Sequence, residues 1–218
     1  MSGFLSKLSW KWIAIIGLTV LIAYGIYNNP DRHEKIILSP EEQQVNDSLM
    51  AKYPQLQEVN ARAKISSANL INLINSAETN GFDIETFHFY SDNLLNISSE
   101  LQIKLDEVNN LLNTNRSLFE KSPMHDTWAM LTEVFEFRSD YNKKVIEFAK
   151  LGANLNSKSN KELDKLVAVM TELETMESRL PEMQDKYIQT LSKLDPDYGR
   201  QAERLVEEQK KENSQLLK

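Results

Sequence analysis

Three histidines are the natural starting point for any metal or acid-base chemistry in this chain. Glu85 and His88 form a Glu-x-x-His pair, the spacing with which di-iron helical bundles supply two ligands from one helix. Such bundles use the pair twice, whereas this sequence has it once, so a surface histidine is the simpler interpretation. His33 and His125 have no second histidine at metal-ligand spacing. The sequence therefore predicts no metal site and no cofactor.

Catalytic groups of other kinds are also sparse. The chain has no cysteine, which excludes thiol catalysis, disulfides and cysteine-ligated metal ions. The histidines are scattered, without a clustered serine and aspartate, and the six glycines are isolated, so no Gly-x-Gly-x-x-Gly phosphate loop exists. These absences predict a protein that is not an enzyme.

Arg138 is the one charged residue that we expect inside the protein. It falls within the apolar half of a predicted helix, and Asn142 follows one turn later. Because an unpaired buried guanidinium is costly, we predict an ion pair between Arg138 and Glu177, which interrupts the apolar stripe of another helix. A snorkelling arginine at the bundle edge and a contact with an anion or a partner carboxylate are open alternatives.

Apolar residues outside the core stripes indicate a second kind of site. Phe89 and Ile103 fall on the outward face of the predicted second helix, and Phe82 lies in the turn before it. Exposed apolar patches can mark the binding sites of partner proteins. Phe82, Phe89 and Ile103 are therefore a candidate partner patch, with packing against the first helix or the C-terminal tail as the alternative.

Start and stop signals place these residues on five helices. Three starts join a capping side chain to a proline in the first helical turn, at Ser39-Pro40, Ser122-Pro123 and Asp195-Pro196. Asp83 is the expected cap of the second helix, and Ser159 begins a capping box with Glu162. Stops are expected at Gly81 and Gly152. The predicted helices cover residues 40–79, 84–121, 123–151, 160–193 and 196–216.

The fold class that these helices predict is all-α, an elongated antiparallel bundle of about four long helices plus a C-terminal helix. The third helix is apolar over about half of its circumference, so we expect it to be the most central. Pro54 is expected to kink or split the first helix, and Pro181 the fourth. The C-terminal helix has few apolar residues and is expected to fray or project, or to dock on a partner.

A membrane anchor is expected ahead of the bundle, because Trp12 to Tyr27 is a run of sixteen residues without a charge. Extension towards the N-terminus reaches about the twenty residues that span a bilayer. Trp10 and Trp12 at one end, and Tyr24 and Tyr27 at the other, match the aromatic belts of membrane interfaces. The sequence therefore predicts a single N-terminal transmembrane helix.

Two alternatives to this anchor stay open, and the direction in which the helix crosses the membrane is only partly determined. A cleaved signal peptide is the main one, with Ala23-Tyr24-Gly25 as the approximate cleavage site; a buried helix of a soluble protein is the other. Basic residues on the two flanks are equal in number, so they do not decide the topology. The short leading tail favours a cytoplasmic N-terminus, with the bulk of the chain outside the cytoplasm, most simply at the bacterial inner membrane.

The resulting domains are a tail and anchor at 1–28, a linker at 29–39, the bundle at 40–194 and a charged C-terminal helix or tail at 195–218. All 32 acidic residues and 23 of the 25 basic residues lie beyond Trp12, which leaves nine more negative than positive charges there. Such an acidic surface repels nucleic acid. The expected partners are the lipid bilayer, other membrane or envelope proteins and a second copy of the chain.

A short anchor followed by long helices is similar to the layout of LemA-type membrane proteins. One helix pattern of that family resembles the positions Arg138, Tyr141, Asn142, Val145 and Phe148 of this chain. The family's arginine-rich first-helix pattern is absent, so membership is not inferred. The sequence favours an extracytoplasmic scaffold or assembly subunit that binds proteins. The alternative is a small-ligand sensor or accessory subunit that signals through a partner membrane protein.

Overall fold

The computed structural model describes residues 38–156, 159–194 and 196–216, and every regular element in these ranges is a helix. The all-helical class and the bundle are therefore confirmed. The elements are α1 (Pro40–Asn80), α2 (Ile84–Thr114), a 3-10 helix (Arg116–Phe119), α3 (His125–Ala153), α4 (Asn160–Glu177), α5 (Leu180–Leu194) and α6 (Pro196–Leu216).

Among these seven helices, none combines the length and the apolar character that crossing a membrane requires. The predicted anchor, with Trp10, Trp12, Tyr24 and Tyr27, lies outside the described residues, as does most of the predicted linker. The predicted helix cap Asp195 lies outside them as well.

Most of the predicted helix starts are confirmed, because the capping side chains satisfy backbone N–H groups that the first turn leaves free. At α1, Ser39 Oγ accepts from the N–H of Glu42, whose carboxylate accepts from the N–H of Ser39 at 2.6 Å, a complete capping box. Asp83 caps α2 through the N–H groups of Glu85 and Thr86. The turn between these helices has Gly81 at φ +82°, a conformation that favours glycine.

The junction between α2 and α3 differs from the prediction of one long helix followed at once by another. The second helix ends at Thr114, seven residues earlier than predicted, because Asn115 donates from Nδ2 to the carbonyl oxygen of Leu111 at 2.8 Å and its side chain competes with helix continuation. The third helix begins at His125, since Ser122 Oγ caps a turn through the N–H of Met124. The 3-10 helix fills the interval and buries Phe119.

The two prolines inside predicted helices have different effects. The fourth predicted helix is divided at Ser178–Arg179 into α4 and α5, one turn before Pro181, as its missing N–H predicts. In contrast, α1 runs unbroken through Pro54, so the split does not occur, and the kink stays a prediction. The buried residues Leu56 and Val59 follow directly, and their packing offsets one lost backbone hydrogen bond.

Helix α3 is the most central element, as predicted, and it packs against α2, α4, α5 and the 3-10 helix. The core consists of two apolar clusters. We call them the large cluster, which includes Ile71, Leu94, Tyr141, Phe148 and Leu173, and the 3-10 cluster, which includes Leu56, Leu105, Leu112, Phe119 and Trp128. In the 3-10 cluster, the rings of Phe119 and Trp128 stack with centroids 3.7 Å apart.

The last helix, α6, does not project from the bundle. It packs against α5, and Ala202 and Val206 are buried. Close approach is possible because Gly199 faces Ser192, where an added Cβ would lie 2.9 Å from the serine Cβ. The expectation of a frayed or projecting tail is therefore wrong for the described part of α6, because small residues let a weakly apolar helix dock closely.

Candidate functional site

Polar side chains meet where the two apolar clusters join. Along α1, Ala63 belongs to the 3-10 cluster and Ala68 to the large cluster; along α2, Leu101 and Leu94 divide in the same way. The side chains at this boundary form what we call the polar layer: Asn60 and Ser67 of α1, Ser98 and Gln102 of α2, and Arg138, Ser139, Tyr141 and Asn142 of α3. The layer therefore lies inside the bundle and draws on three helices.

Arg138 joins α3 to α1 within this layer. It is only 5% exposed, and its Nη2 donates to Oδ1 of Asn60 at 2.8 Å. Its Cζ lies 5.7 Å from the centroid of the Phe135 ring, within the range of a cation–π contact. Burial lowers the pKa of Arg138 to about 10, although the charge of Tyr53 acts in the opposite direction. The guanidinium is still protonated at neutral pH.

Asn142 and Ser139 join α3 to α2. The Nδ2 of Asn142 donates to the backbone oxygen of Ser98 at 2.8 Å and to Oε1 of Gln102 at 3.0 Å. The Nε2 of Gln102 donates in turn to Oγ of Ser139 and to a carboxylate oxygen of Asp106. These bonds satisfy several buried polar groups at once, which holds the two helices in one register.

Tyr141 joins α3 to α4 through the residue predicted to pair with Arg138. Its hydroxyl donates to Oε1 of Glu177 at 3.2 Å, and both side chains are buried. Burial, and then the negative charge of Glu177, raise the pKa of Tyr141 well above its usual value. The structure thus places Asn60 beside Arg138 and Tyr141 beside Glu177. The proposed ion pair between Arg138 and Glu177 stays a prediction.

A small cavity opens between the members of the polar layer. Its volume is about 10 Å³, and its polar lining comes from Asn60, Ser67, Ser98, Arg138, Tyr141 and Asn142, with four apolar side chains completing the wall. The lining has hydroxyl, amide, phenol and guanidinium groups but no carboxylate, imidazole or thiol. The lining therefore contains no carboxylate or imidazole that could act as a general base and activate the hydroxyls of Ser67 and Ser98.

Three more bonds between side chains and backbone fix α3 and the turn after it to α2. Nε2 of His88 donates to the carbonyl oxygen of Leu155 at 2.8 Å, and Nε1 of Trp128 donates to that of Leu112 at 3.2 Å. Asn109 donates from Nδ2 to the carbonyl oxygen of Phe135. The candidate metal ligand His88 thus has a structural contact. Within 38–156, 159–194 and 196–216, no group of three or more acidic or histidine side chains could hold a metal ion.

The candidate partner patch is only partly exposed. Phe89 and Ile103 are 62% and 59% exposed, whereas Phe82 is half-buried, with its ring centroid 5.2 Å from that of Phe87. Phe89 and Ile103 lie on the same face of α2, but fourteen residues correspond to about 21 Å along a helix. They are therefore two separate apolar positions, and their role in partner binding stays a prediction.

Some residues of the site were missed from the sequence. Ser98 occupies a position on the apolar stripe between Leu94 and Leu101, a polar interruption that could have been recognised. Asn60, next to the buried Val59, gave a weaker signal of the same kind. Ile65, which is 54% exposed on α1, was also not predicted as an exposed apolar residue.

No protein-family model matches the chain, and no curated protein or solved structure matches it significantly. The similarity in helix pattern to LemA-type proteins is therefore not accompanied by a family match.

Proposed function

We propose that this chain is a membrane-tethered helical bundle that acts by binding other proteins and catalyses no reaction. The observation that carries the proposal is that the buried polar side chains hold the helices together. Arg138, Asn142 and Tyr141 each form a hydrogen bond to a different neighbouring helix. Side chains engaged in this way hold the bundle together, which leaves recognition to the outer surface. The sixteen uncharged residues from Trp12 to Tyr27 supply the tether in this proposal.

The outer surface offers features that suit a protein partner better than a polyanion. Phe89 and Ile103 expose more than half of their side chains on α2, and Ile65 does so on α1. The excess of acidic residues repels nucleic acid and anionic headgroups. We therefore propose other membrane or envelope proteins, or a second copy of this chain, as partners, with the N-terminus cytoplasmic and the bundle outside the cytoplasm.

A ligand-sensing function is the second candidate, because polar groups do converge around Arg138. The cavity there is about 10 Å³, whereas sites for organic ligands have volumes of about 300–1,000 Å³. An organic ligand would have to part α1 from α2 and α3 and break the bond between Arg138 and Asn60. The size of the cavity therefore favours partner binding over sensing.

Affinity purification of the tagged full chain from solubilised membranes tests this proposal. We expect wild type to recover the same protein, or a second copy of itself, in repeated preparations. Phe89→Ser and Ile103→Ser should reduce that recovery without lowering the thermal midpoint, because both side chains are exposed. Ser99→Ala, at an exposed polar position of the same helix, is the matched control. Repeated recovery of no partner and no second copy would contradict the proposal.

A further inference from the structure

Two serines of α2 share an unusual environment. Ser91 and Ser98 lie seven residues apart, which places them on the same face of the helix. Both are 0% exposed, and neither Oγ has a hydrogen-bond partner among the described residues. A hydroxyl that leaves water without a new partner destabilises the folded state. Each of the two hydroxyls therefore needs a hydrogen-bond partner to offset this cost.

The two hydroxyls differ in how much empty space lies next to them. Ser91 faces the backbone of α3 at Gly152, where an added Cβ would lie only 2.4 Å from its Oγ. No water molecule fits into so short a gap. Ser98 instead lines the cavity of about 10 Å³ in the polar layer, and a volume of about 10–15 Å³ is what one water molecule requires.

We propose that this cavity is a binding site for a single internal water molecule, held by Oγ of Ser98. A buried water needs two to four polar partners, and it is retained only where these surround it. Asn60 and Ser67 line the cavity from α1, and Arg138 and Asn142 line it from α3. A water at this position bonds to groups of all three helices, which gives the orphan hydroxyl of Ser98 its partner.

The size and lining of the cavity favour water over the other small occupants. An apolar molecule would leave the hydroxyl of Ser98 unsatisfied, and apolar cavities that stay dry lack such polar walls. A halide ion is compatible with the guanidinium in the wall but is larger than a water molecule. The present volume of the cavity suits a water molecule better than a halide ion, so water is the occupant.

Two matched substitutions in the full chain test the site. Ser98→Ala removes the hydroxyl that holds the water, so the thermal midpoint should fall by about 2–4 °C. Ser91→Ala removes a hydroxyl that has no partner and no room for one, so the midpoint should stay the same or rise. Both substitutions delete one oxygen from an equally buried position of the same helix. An unchanged or raised midpoint in Ser98→Ala would overturn the proposal.

A direct observation separates water from a halide. In crystals of the full chain grown with bromide, we expect one ordered water within hydrogen-bonding distance of Ser98 Oγ and no anomalous signal in the cavity. Nuclear Overhauser contacts between bulk-exchanging water and the amide of Ser98 should appear in wild type and vanish in Ser98→Ala. An anomalous bromide peak at the site, or an empty cavity, would contradict the assignment.

Discussion

Nη2 of Arg138 donates a hydrogen bond to Oδ1 of Asn60, 2.8 Å away, although 78 residues separate them in the chain. This bond connects the central helix α3 with α1 inside the bundle. Another polar link of α1, the ion pair between Arg62 and Glu100, lies on the surface with both side chains more than 40% exposed. Exposed ion pairs contribute little to stability. The buried bond should therefore contribute more to holding α1 than this exposed ion pair does.

Asn60→Ala should lower the free energy of unfolding by about 1.5–3 kcal/mol, the typical cost of losing a buried hydrogen bond to a charged group. Denaturation with urea, followed by circular dichroism, measures the change. Asn72→Ala is the matched control, because Asn72 is exposed on the same helix and should change stability by less than about 0.5 kcal/mol. Equal effects of the two substitutions would contradict the importance of the buried bond.

Gly152→Ala should destabilise the protein by about 1–3 kcal/mol, the usual cost of overpacking. The new Cβ would lie 2.4 Å from Oγ of Ser91 and 3.2 Å from Cε1 of Phe87, so α2 and α3 would have to separate slightly. Adding Ser91→Ala should recover part of the loss, because it removes the closest atom. A double-mutant cycle measures this coupling, and additive effects would mean that the helices do not meet there as closely.

Helix boundaries could be predicted well wherever a side chain caps the backbone locally. Asp83 and Ser39 act on N–H groups two or three residues away, so the sequence contains the whole interaction. The end of α2 was predicted too late, because nothing in the local pattern showed that Phe119 would lie in a separate 3-10 helix and stack on Trp128. The periodicity of apolar residues along one helix does not show which residues of other helices it will contact.

Gly199→Ala should loosen α6 from α5, because the added Cβ would lie 2.9 Å from Cβ and 3.2 Å from Cα of Ser192. Hydrogen exchange of the α6 amides should become faster, while the amides of α2 and α3 keep their protection. Alanine has the higher helix propensity. A slower exchange of α6 would therefore indicate a helix that does not dock on α5.

Acid should weaken the N-terminal end of α1 through Glu42. Burial raises the pKa of this carboxyl, but hydrogen bonds from Ser122 and Ser39 together lower it below the usual 4.5. A depressed pKa stabilises the folded state above pH 4.5, and this contribution is lost as the pH falls through the lower folded value. Protonation of Glu42 removes the charge that Ser39 and Ser122 stabilise.

Glu42→Gln should therefore reduce stability by about 1 kcal/mol at pH 7, and its difference from wild type should shrink as the pH falls below 4.5. Urea denaturation at several pH values measures this difference. Glu41→Gln, at an exposed neighbouring position, is the control and should change stability at pH 7 by less than about 0.5 kcal/mol. A difference that stays the same at every pH measured below 4.5 would contradict the role of Glu42.

The candidate site was predicted only in outline. The position of Arg138 within an apolar helix face correctly marked it as buried. Its contact with Asn60 could not be predicted, because a single sequence gives no information on how two helices 78 residues apart align. The cavity has the same origin, since its volume depends on how three helices pack rather than on any one residue.

Site-specific photo-crosslinking in intact membranes tests the central claim most directly. A photoreactive amino acid in place of Phe89, Ile103 or Ile65, all more than half exposed, should give a discrete crosslinked product with another protein or a second copy of the chain. The same amino acid in place of Leu105, which is 1% exposed, should give none. A membrane-tethered binding protein predicts this contrast, and the absence of any product at all three exposed positions would contradict it.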